Sequence, residues 1–254
     1  MRRALLAAMI APVLLAAAPA AARAPAWKPD VAAASDYAAQ RPGVIAFAVR
    51  TENRLWGRRL ARSFPSASVI KAMFLVSYLR RPSVRGRVLR TWERRLLSPM
   101  IRRSDNVAAT RVRDLVGKAA LGRLARAAGM TAFRPRPVWG LSRITAPDQT
   151  RFFLRIDRLM PPLHRAYGMH LLRTIVPEQR WGVARVAPAG WKLYFKGGWG
   201  AGKGAVEHQV ALLTRGAERV SVAVLTVRHS SHAAGEATLQ GVFGRLLKGL
   251  AAAR

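Results

Sequence analysis

The chain has 254 residues, 51% of them hydrophobic, which is enough to bury the core of one large domain or two small ones. It has no cysteine, which excludes disulfide bonds and thiolate metal sites. Its 44 Lys and Arg against 12 Asp and Glu give a net charge of +32, which permits an anionic polymer, an acidic membrane surface or nucleic acid as partner. Because the basic residues are spread along the chain and form no stripe, nucleic acid is the partner we exclude.

Residues 1–22 are typical of a secretory signal peptide. MRR is followed by the uncharged run ALLAAMIAPVLLAAAPAAA, and the small residues Ala20 and Ala22 offer a cleavage site. The alternative is an uncleaved anchor, because the run is nearly long enough to cross a bilayer, although Pro12 and Pro19 weaken that interpretation. We therefore expect a protein secreted or exported to the periplasm or cell-wall space, with a linker or N-terminal segment over residues 23–39.

The first predicted elements are a hairpin and a series of helices. Val44–Thr51 alternates as a strand does, and a turn at Glu52-Asn53 leads into a second strand. The apolar spacing from Ser68 to about Leu79 suits a buried helix. Further helices are predicted over 88–101, 106–116, 118–128, 148–160 and 163–175.

The C-terminal part returns to strands. WKLYFKGG, VEHQVALLT and RVSVAVLTV read as three strands, and a helix over Ala233–Ala251 closes the chain. Strands at both ends of a helical middle predict an α/β (α+β) fold, in which N- and C-terminal strands form one antiparallel sheet with an inserted all-helical subdomain. The folded domain would span 40–254, with the sheet in 40–66 and 190–254 and the helices in 67–189.

A serine and a lysine open the first buried helix. Ser68 and Lys71 are three residues apart, so their side chains share one helical face. A helix N-terminus offers a serine free backbone N–H groups and a dipole that stabilises a developing oxyanion. A desolvated lysine can be neutral enough to take the hydroxyl proton. Taken alone, S-x-x-K more often means a capping serine followed by a surface lysine.

Two further motifs change that balance. Ser104-Asp105-Asn106 stands just before a predicted helix, where capping alone could explain it. Lys196-Gly197-Gly198 lies on a predicted strand, where two glycines let a substrate backbone approach the sheet edge. Each motif has an ordinary structural explanation, but all three in this order and in these settings indicate one shared site.

The three motifs resemble the S-x-x-K, S-D-N and K-T-G set of the active-site serine penicillin-recognising enzymes, specifically the class A β-lactamases and related serine hydrolases. The stretches FPSASVIK, MIRRSDNVAAT and PAGWKLYFKGGWG carry the resemblance, which extends from about residue 40 to the C-terminus. It implies a β-lactamase/transpeptidase-like fold and a serine hydrolase that opens a cyclic amide without metal or cofactor.

The resemblance also implies four catalytic roles. Ser68 would be the acylated nucleophile and Lys71 its proton partner. Ser104 would relay a proton to the leaving nitrogen, with electrostatic support from Lys196.

Substrate binding is implied for a second set of residues. Asn106 would bind an amide of the substrate, while Asp105 would hold its own loop in place. Gly197, Gly198 and Trp199 would form the strand along which the substrate lies. The backbone N–H groups of Trp199 and the nucleophile would form the oxyanion hole.

Two departures from the family pattern concern access and binding. K-T-G is here K-G-G, so the hydroxyl that would help to hold a substrate carboxylate is missing at Gly197, and Lys203 or an arginine would have to replace it. Ser68 and Ser104 are only 36 positions apart, fewer than in ordinary class A enzymes. We therefore expect a more open cleft.

A third departure concerns deacylation. Class A enzymes carry a glutamate in the long loop after the S-D-N helices, but no acidic residue lies between Asp114 and Asp148 in this chain. Asp148 and His208 are candidate replacements, against their interpretation as a helix-start residue and a structural histidine. Loss of a general base typically lowers a rate by about two to four powers of ten, so slow deacylation is expected.

The sequence leaves several functions open. The leading hypothesis is a monomeric, secreted, β-lactamase-like hydrolase acting on a small β-lactam or related amide. The closest alternative is a DD-peptidase, a penicillin-binding-type protein or another amide or ester hydrolase acting on peptidoglycan-derived material. The alternative from another class is a non-catalytic cationic module that binds an anionic cell-wall polymer.

Overall fold

The computed structural model describes residues 27–200 and 205–252. The expected signal peptide (1–22) and Lys203 lie outside these residues. Of the helices in these two ranges, none has the length and hydropathy of a membrane-spanning segment.

The described chain is mixed α/β. Its strands are β1 (Val44–Arg50), β2 (Leu55–Arg58), β3 (Ser63–Pro65), β4 (Arg143–Thr145), β5 (Lys192–Gly200), β6 (Val206–Arg215) and β7 (Glu218–Val227). Its α-helices are α1 (Val31–Ala39), α2 (Lys71–Leu79), α3 (Pro82–Arg85), α4 (Thr91–Arg102), α5 (Asn106–Ala127), α6 (Ala146–Leu154), α7 (Ile156–Leu159), α8 (Pro162–Arg173), α9 (Val183–Val186) and α10 (His232–Leu246).

Five strands form one antiparallel sheet in the order β2-β1-β7-β6-β5. The N-terminal hairpin therefore pairs with the last strand of the chain, and β5 is left at an edge. Helix α10 packs on β6 and β7, and α6 packs on β1, β6 and β7. With helices packed on the sheet, the residues of β1 are buried from Ile45 to Val49 without alternation. The predicted fold class is confirmed.

Most predicted helices are present with shifted ends. The two helices expected over 106–116 and 118–128 meet as α5, broken at Gly117, whose φ of 73° no L-residue adopts easily. The helix expected over 148–160 is divided at Arg155 into α6 and α7. The closing helix ends at Leu246 and not at Ala251.

The interpretation of 23–39 as a linker is wrong for its second half, because α1 belongs to the folded domain. Asp30 caps this helix by accepting a hydrogen bond from the Ala33 N–H (2.9 Å). Ala34 and Ala38 are buried where α1 packs on α10. The alanine-rich segment looked like a linker because the helix that covers it lies 200 residues away in the sequence.

A small two-stranded sheet, missed in the sequence, helps to position the first motif. β3 pairs with β4, and the Ser66 N–H donates to Ser142 O at 2.7 Å. The loop that follows α5 is thereby fixed beside the turn that contains the first motif. This turn is a 3₁₀ helix, Ala67–Ile70, and α2 begins only at Lys71.

The contact of α1 with α10 yields a stability prediction. A Cβ at Gly241 would overlap the ring of Tyr37. That ring is fixed because its hydroxyl donates to Ala237 O and Arg245 stacks on it at 4.0 Å. Gly241→Ala should therefore lower the free energy of unfolding by about 1–3 kcal/mol. The matched control, Gly244→Ala on the same helix, has room and should gain up to about 1 kcal/mol from helix propensity. Thermal unfolding of both variants would decide, and equal melting temperatures would contradict the packing described.

Candidate active site

Ser68 lies in the short 3₁₀ helix that precedes α2. Ala67 before it has a φ of 42°, an uncommon conformation for a residue with a Cβ. Such a conformation is kept only where the surrounding structure imposes it, and it is found often at functional sites. Among the described residues, the Ser68 hydroxyl has no hydrogen-bond partner. It is therefore free to meet a substrate or a base.

Lys71, the first residue of α2, carries a fully buried amine. Its Nζ donates to Asn106 Oδ1 at 2.8 Å, to Ser104 Oγ at 3.2 Å and to Ser104 O. Three acceptors match the three N–H groups of an ammonium. Burial lowers the pKa of Lys71 to about 7, although Asp105 opposes the shift. Deprotonation near neutral pH would therefore leave a lone pair on Nζ one helical turn from Ser68.

Lys196 reaches Ser104 from the sheet. Its Nζ, fully buried, donates to Ser104 Oγ at 2.9 Å and to Gly197 O at 2.7 Å. Burial, and then the charge of Lys71, hold the pKa of Lys196 well below its ordinary value. Because both lysines donate to the Ser104 oxygen, the proton of that hydroxyl is left to point elsewhere. The arrangement suits a hydroxyl that passes a proton outward to a leaving group.

The glycines of β5 bring the strand against the nucleophile. A Cβ at Gly198 would lie 2.7 Å from the Ser68 N and 2.8 Å from the Val69 N, so only glycine allows this approach. Trp199 follows, half-buried, with its ring centroid 5.8 Å from Lys196 Nζ. The structure therefore brings the three motifs, from α2, the start of α5 and β5, into one place.

The structure contradicts His208 as a catalytic base. Its ring is completely buried on β6, with Nε2 2.8 Å from Pro65 O. Its Nδ1 accepts a hydrogen bond from the Thr226 N–H at 2.9 Å, so both ring nitrogens are occupied by the backbone. Burial lowers the pKa of His208 to about 4. This histidine fastens the sheet to the segment before Ser68 and has no nitrogen to offer a water.

Asp148 is also structural. Its carboxylate accepts hydrogen bonds from the Thr131 N–H (3.0 Å) and the Ala132 N–H (2.7 Å), and its own N–H donates to the capping Thr145. It is therefore the helix-start residue that the sequence favoured, and it fixes the loop after α5.

Trp139, which no motif in the sequence indicated, faces the buried amine of Lys71. The centroid of its ring lies 5.1 Å from Lys71 Nζ, and its Nε1 donates to Thr110 Oγ1 at 3.2 Å. The loop after α5 thus presents an aromatic ring, and no carboxylate, to Lys71. Over the described ranges, no group of three or more His, Asp or Glu is placed to hold a metal ion.

A family comparison covers the second and third motifs but not the first. The sequence model of the Beta-lactamase enzyme family matches residues 87–247, which is more than half of the chain. The chain belongs to the β-lactamase enzyme family. A search of curated protein sequences finds no match.

Solved structures agree with this β-lactamase family on the fold. An ancestral (GNCA) class A β-lactamase shares 20% identity and a TM-score of 0.72, over 86% of this chain and 98% of that one. The class A β-lactamase from Mycobacterium abscessus shares 20% identity and a TM-score of 0.72, over 87% of this chain and 99% of that one. The β-lactamase from Desulfarculus baarsii DSM 2075 shares 24% identity and a TM-score of 0.68, over 84% of this chain and 97% of that one. At these identities the likeness establishes the fold alone.

The lowered pKa of Lys71 predicts a pH profile. Only the neutral amine can accept the Ser68 proton, and the neutral fraction rises as the pH passes through about 7. The rate of acylation should therefore rise about tenfold per unit well below that pH and level off roughly one unit above it. The measurement is the second-order rate constant for labelling by a fluorescent penicillin between about pH 5 and 9, with tryptophan fluorescence as a control for folding. A flat or falling profile would exclude Lys71 as the base.

Proposed function

We propose that this protein is a serine hydrolase that opens β-lactams or related amides through a Ser68 acyl-enzyme and releases the acyl group slowly. One observation carries the proposal: the buried amines of Lys71 and Lys196 both donate to the hydroxyl of Ser104. Ser68 lies beside them, where β5 approaches it at Gly198. Two buried amines that share an acceptor without a salt bridge are costly to the stability of the fold, which supports a role for them in catalysis.

Acylation proceeds in two proton transfers. Neutral Lys71 takes the proton of Ser68 as Oγ attacks the carbonyl carbon, and the negative charge develops on the carbonyl oxygen. The N–H groups of Ser68 and Trp199 would face that oxygen. The carbon–nitrogen bond then breaks, and Ser104 delivers its proton to the leaving nitrogen, while Lys71 returns the proton it took to Ser104. The products of this step are an ester on Ser68 and a free amine within the opened ring.

For deacylation, the described residues offer no comparable general base. The ring of Trp139 faces Lys71, and both candidate bases, Asp148 and His208, are held by backbone groups. A water that attacks the ester would have to be activated by Lys71 alone. Without a second base the rate should be lower by about two to four powers of ten.

Slow release favours a second candidate, a penicillin-binding-type or peptidase activity on cell-wall material. A long-lived acyl-enzyme that passes its acyl group to another acceptor needs no activated water. With 44 basic residues against 12 acidic ones, an exported protein would be held near anionic wall polymers. We propose export on the basis of the N-terminal run, and a wall-binding module without turnover is the outcome that the following experiment could reveal.

Labelling by a penicillin tests the proposal. The mature protein, incubated with excess benzylpenicillin, should gain one covalent adduct on Ser68, measured by intact mass and by peptide mapping. Ser68→Ala should abolish the adduct. The matched control is Ser77→Ala on α2, which removes another buried hydroxyl that has no hydrogen-bond partner in the described chain.

The lifetime of the adduct distinguishes the candidates. An adduct that persists for many minutes while little product forms agrees with slow deacylation. Rapid loss of the adduct with turnover would contradict the proposed slow step. Absence of any adduct, together with tight binding to isolated cell wall, would refute the hydrolase and favour the binding module.

A further inference from the structure

Gly197 is flanked by a tryptophan. A Cβ at this position would lie 3.3 Å from Trp181 Cη2 and 3.4 Å from Cζ2, so the indole fills the space that a larger residue would need. Trp181 is held there because Gln209 Nε2 donates to its carbonyl oxygen at 2.9 Å and Gln209 Oε1 accepts from the Val183 N–H at 2.8 Å. Gly197, which stands where the family has a hydroxyl residue, therefore leaves room for the fixed ring of Trp181.

Three rings meet at this end of β5. The ring centroids of Trp181 and Trp199 are 5.9 Å apart and nearly perpendicular. His232, the first residue of α10, lies 5.9 Å from Trp181 and 6.2 Å from Trp199. Trp199 is half-buried and 53% of the His232 side chain is exposed, so the outer side of the cluster is open to a ligand.

Two carboxyl groups lie on either side of the imidazole. Glu207 Oε2 is 2.7 Å from His232 Nδ1, and Glu236 Oε1 is 3.1 Å from His232 Nε2. The Glu207 side chain is 2% exposed, and its Oε1 has no hydrogen-bond partner. Burial raises the pKa of Glu207 to about 7, although the hydrogen bond with His232 opposes the shift. The group of three thus places two acidic side chains on one imidazole.

A local negative charge is unusual in a chain with 44 basic and 12 acidic residues. At this position it would repel a substrate carboxylate, and the face of Trp199 together with the two carboxyl groups suits a cation. Lys196 Nζ lies 5.8 Å from the centroid of the Trp199 ring, but it is fully buried and already donates to Ser104 Oγ and Gly197 O, which leaves it little capacity to bind a substrate anion.

We propose that the cluster of Trp181, Trp199, His232, Glu207 and Glu236 selects substrates that carry an ammonium group, and not a carboxylate, beside the reacting amide. This inference rests on the proposed acylation of Ser68. It adds the class of substrate: an amide with a cationic neighbour group, opened by the same nucleophile.

Three matched probes test the preference on the unmodified mature protein. Benzylpenicillin carries a carboxylate, its methyl amide a neutral group, and its 2-aminoethyl amide an ammonium, on the same bicyclic ring. The second-order rate of adduct formation, followed by intact mass, should be highest for the ammonium probe and lowest for the carboxylate. We expect about a tenfold difference between these two, the size of a moderate cation–aromatic contact with one added charge.

Variants assign the preference to the cluster. Glu236→Gln, at the exposed side, and Glu207→Gln, at the buried side, should each reduce the ratio of ammonium to carboxylate rates several-fold. Glu218→Gln is the matched control, because this carboxylate lies at the opposite end of the β6–β7 hairpin. The double variant Trp181→Ala with Gly197→Thr should raise the carboxylate rate, since it restores a hydroxyl and the room for it.

The outcomes separate the two proposals. Equal or faster labelling by the carboxylate probe overturns the preference and leaves the Ser68 hydrolase standing. An ammonium preference that both folded Gln variants retain in full also overturns the role of the cluster. No adduct with any of the three probes overturns the hydrolase and this inference together.

Discussion

The buried amine of Lys71 determines how the site is assembled. An amine without water needs hydrogen-bond acceptors, and those available are the carbonyl and hydroxyl of Ser104 and the amide of Asn106. These bonds tie the start of α2 to the start of α5 and help to hold Ser104 at a φ of 57°. Once Ser104 is fixed there, its hydroxyl lies within reach of Lys196 from the sheet. The buried amine of Lys71 thereby positions the Ser104 hydroxyl and, through it, the amine of Lys196.

The groups around Ser104 and Lys71 also explain why acylation and deacylation differ in the proposed mechanism. In the proposed mechanism, the contacts of Ser104 with Lys71 and Lys196 serve the breaking of an amide bond. The loop after α5, which in class A enzymes supplies a carboxylate, here supplies Trp139, and an aromatic face can rest against an ammonium but cannot activate a water. Under the proposed function, the site is therefore suited to receive an acyl group and poorly suited to transfer it to water.

The sequence could predict the parts of the structure that depend on local pattern or on a recognisable motif. The hairpin Val44–Arg58, the helical middle and the strand around Lys196 follow from alternation, apolar spacing and the three motifs. The sequence could not predict α1, because this alanine-rich segment belongs to the folded domain only through its packing on α10. Nor could it show that His208 turns its nitrogens to the backbone, since a strand position gives the face of a side chain but not its hydrogen bonds.

The features of the site that separate this protein from the family pattern were the least predictable. Gly197 could be read from the sequence as a lost hydroxyl, but the ring that replaces it, Trp181, comes from a loop with no motif. The pairing of Glu207 with His232 joins residues 25 positions apart through the packing of α10 on β6. Contacts between distant segments decide which residue fills a lost position, and a single sequence does not record them.

The indole N–H of Trp27 donates to Lys248 O at 2.9 Å, so the start of the described chain is fastened just beyond the C-terminal end of α10. The other end of that helix begins at His232, beside the cleft. A helix of 15 residues is about 22 Å long. Trp27, the first described residue, is accordingly tethered at the end of α10 that is remote from the cleft, about one helix length from its entrance.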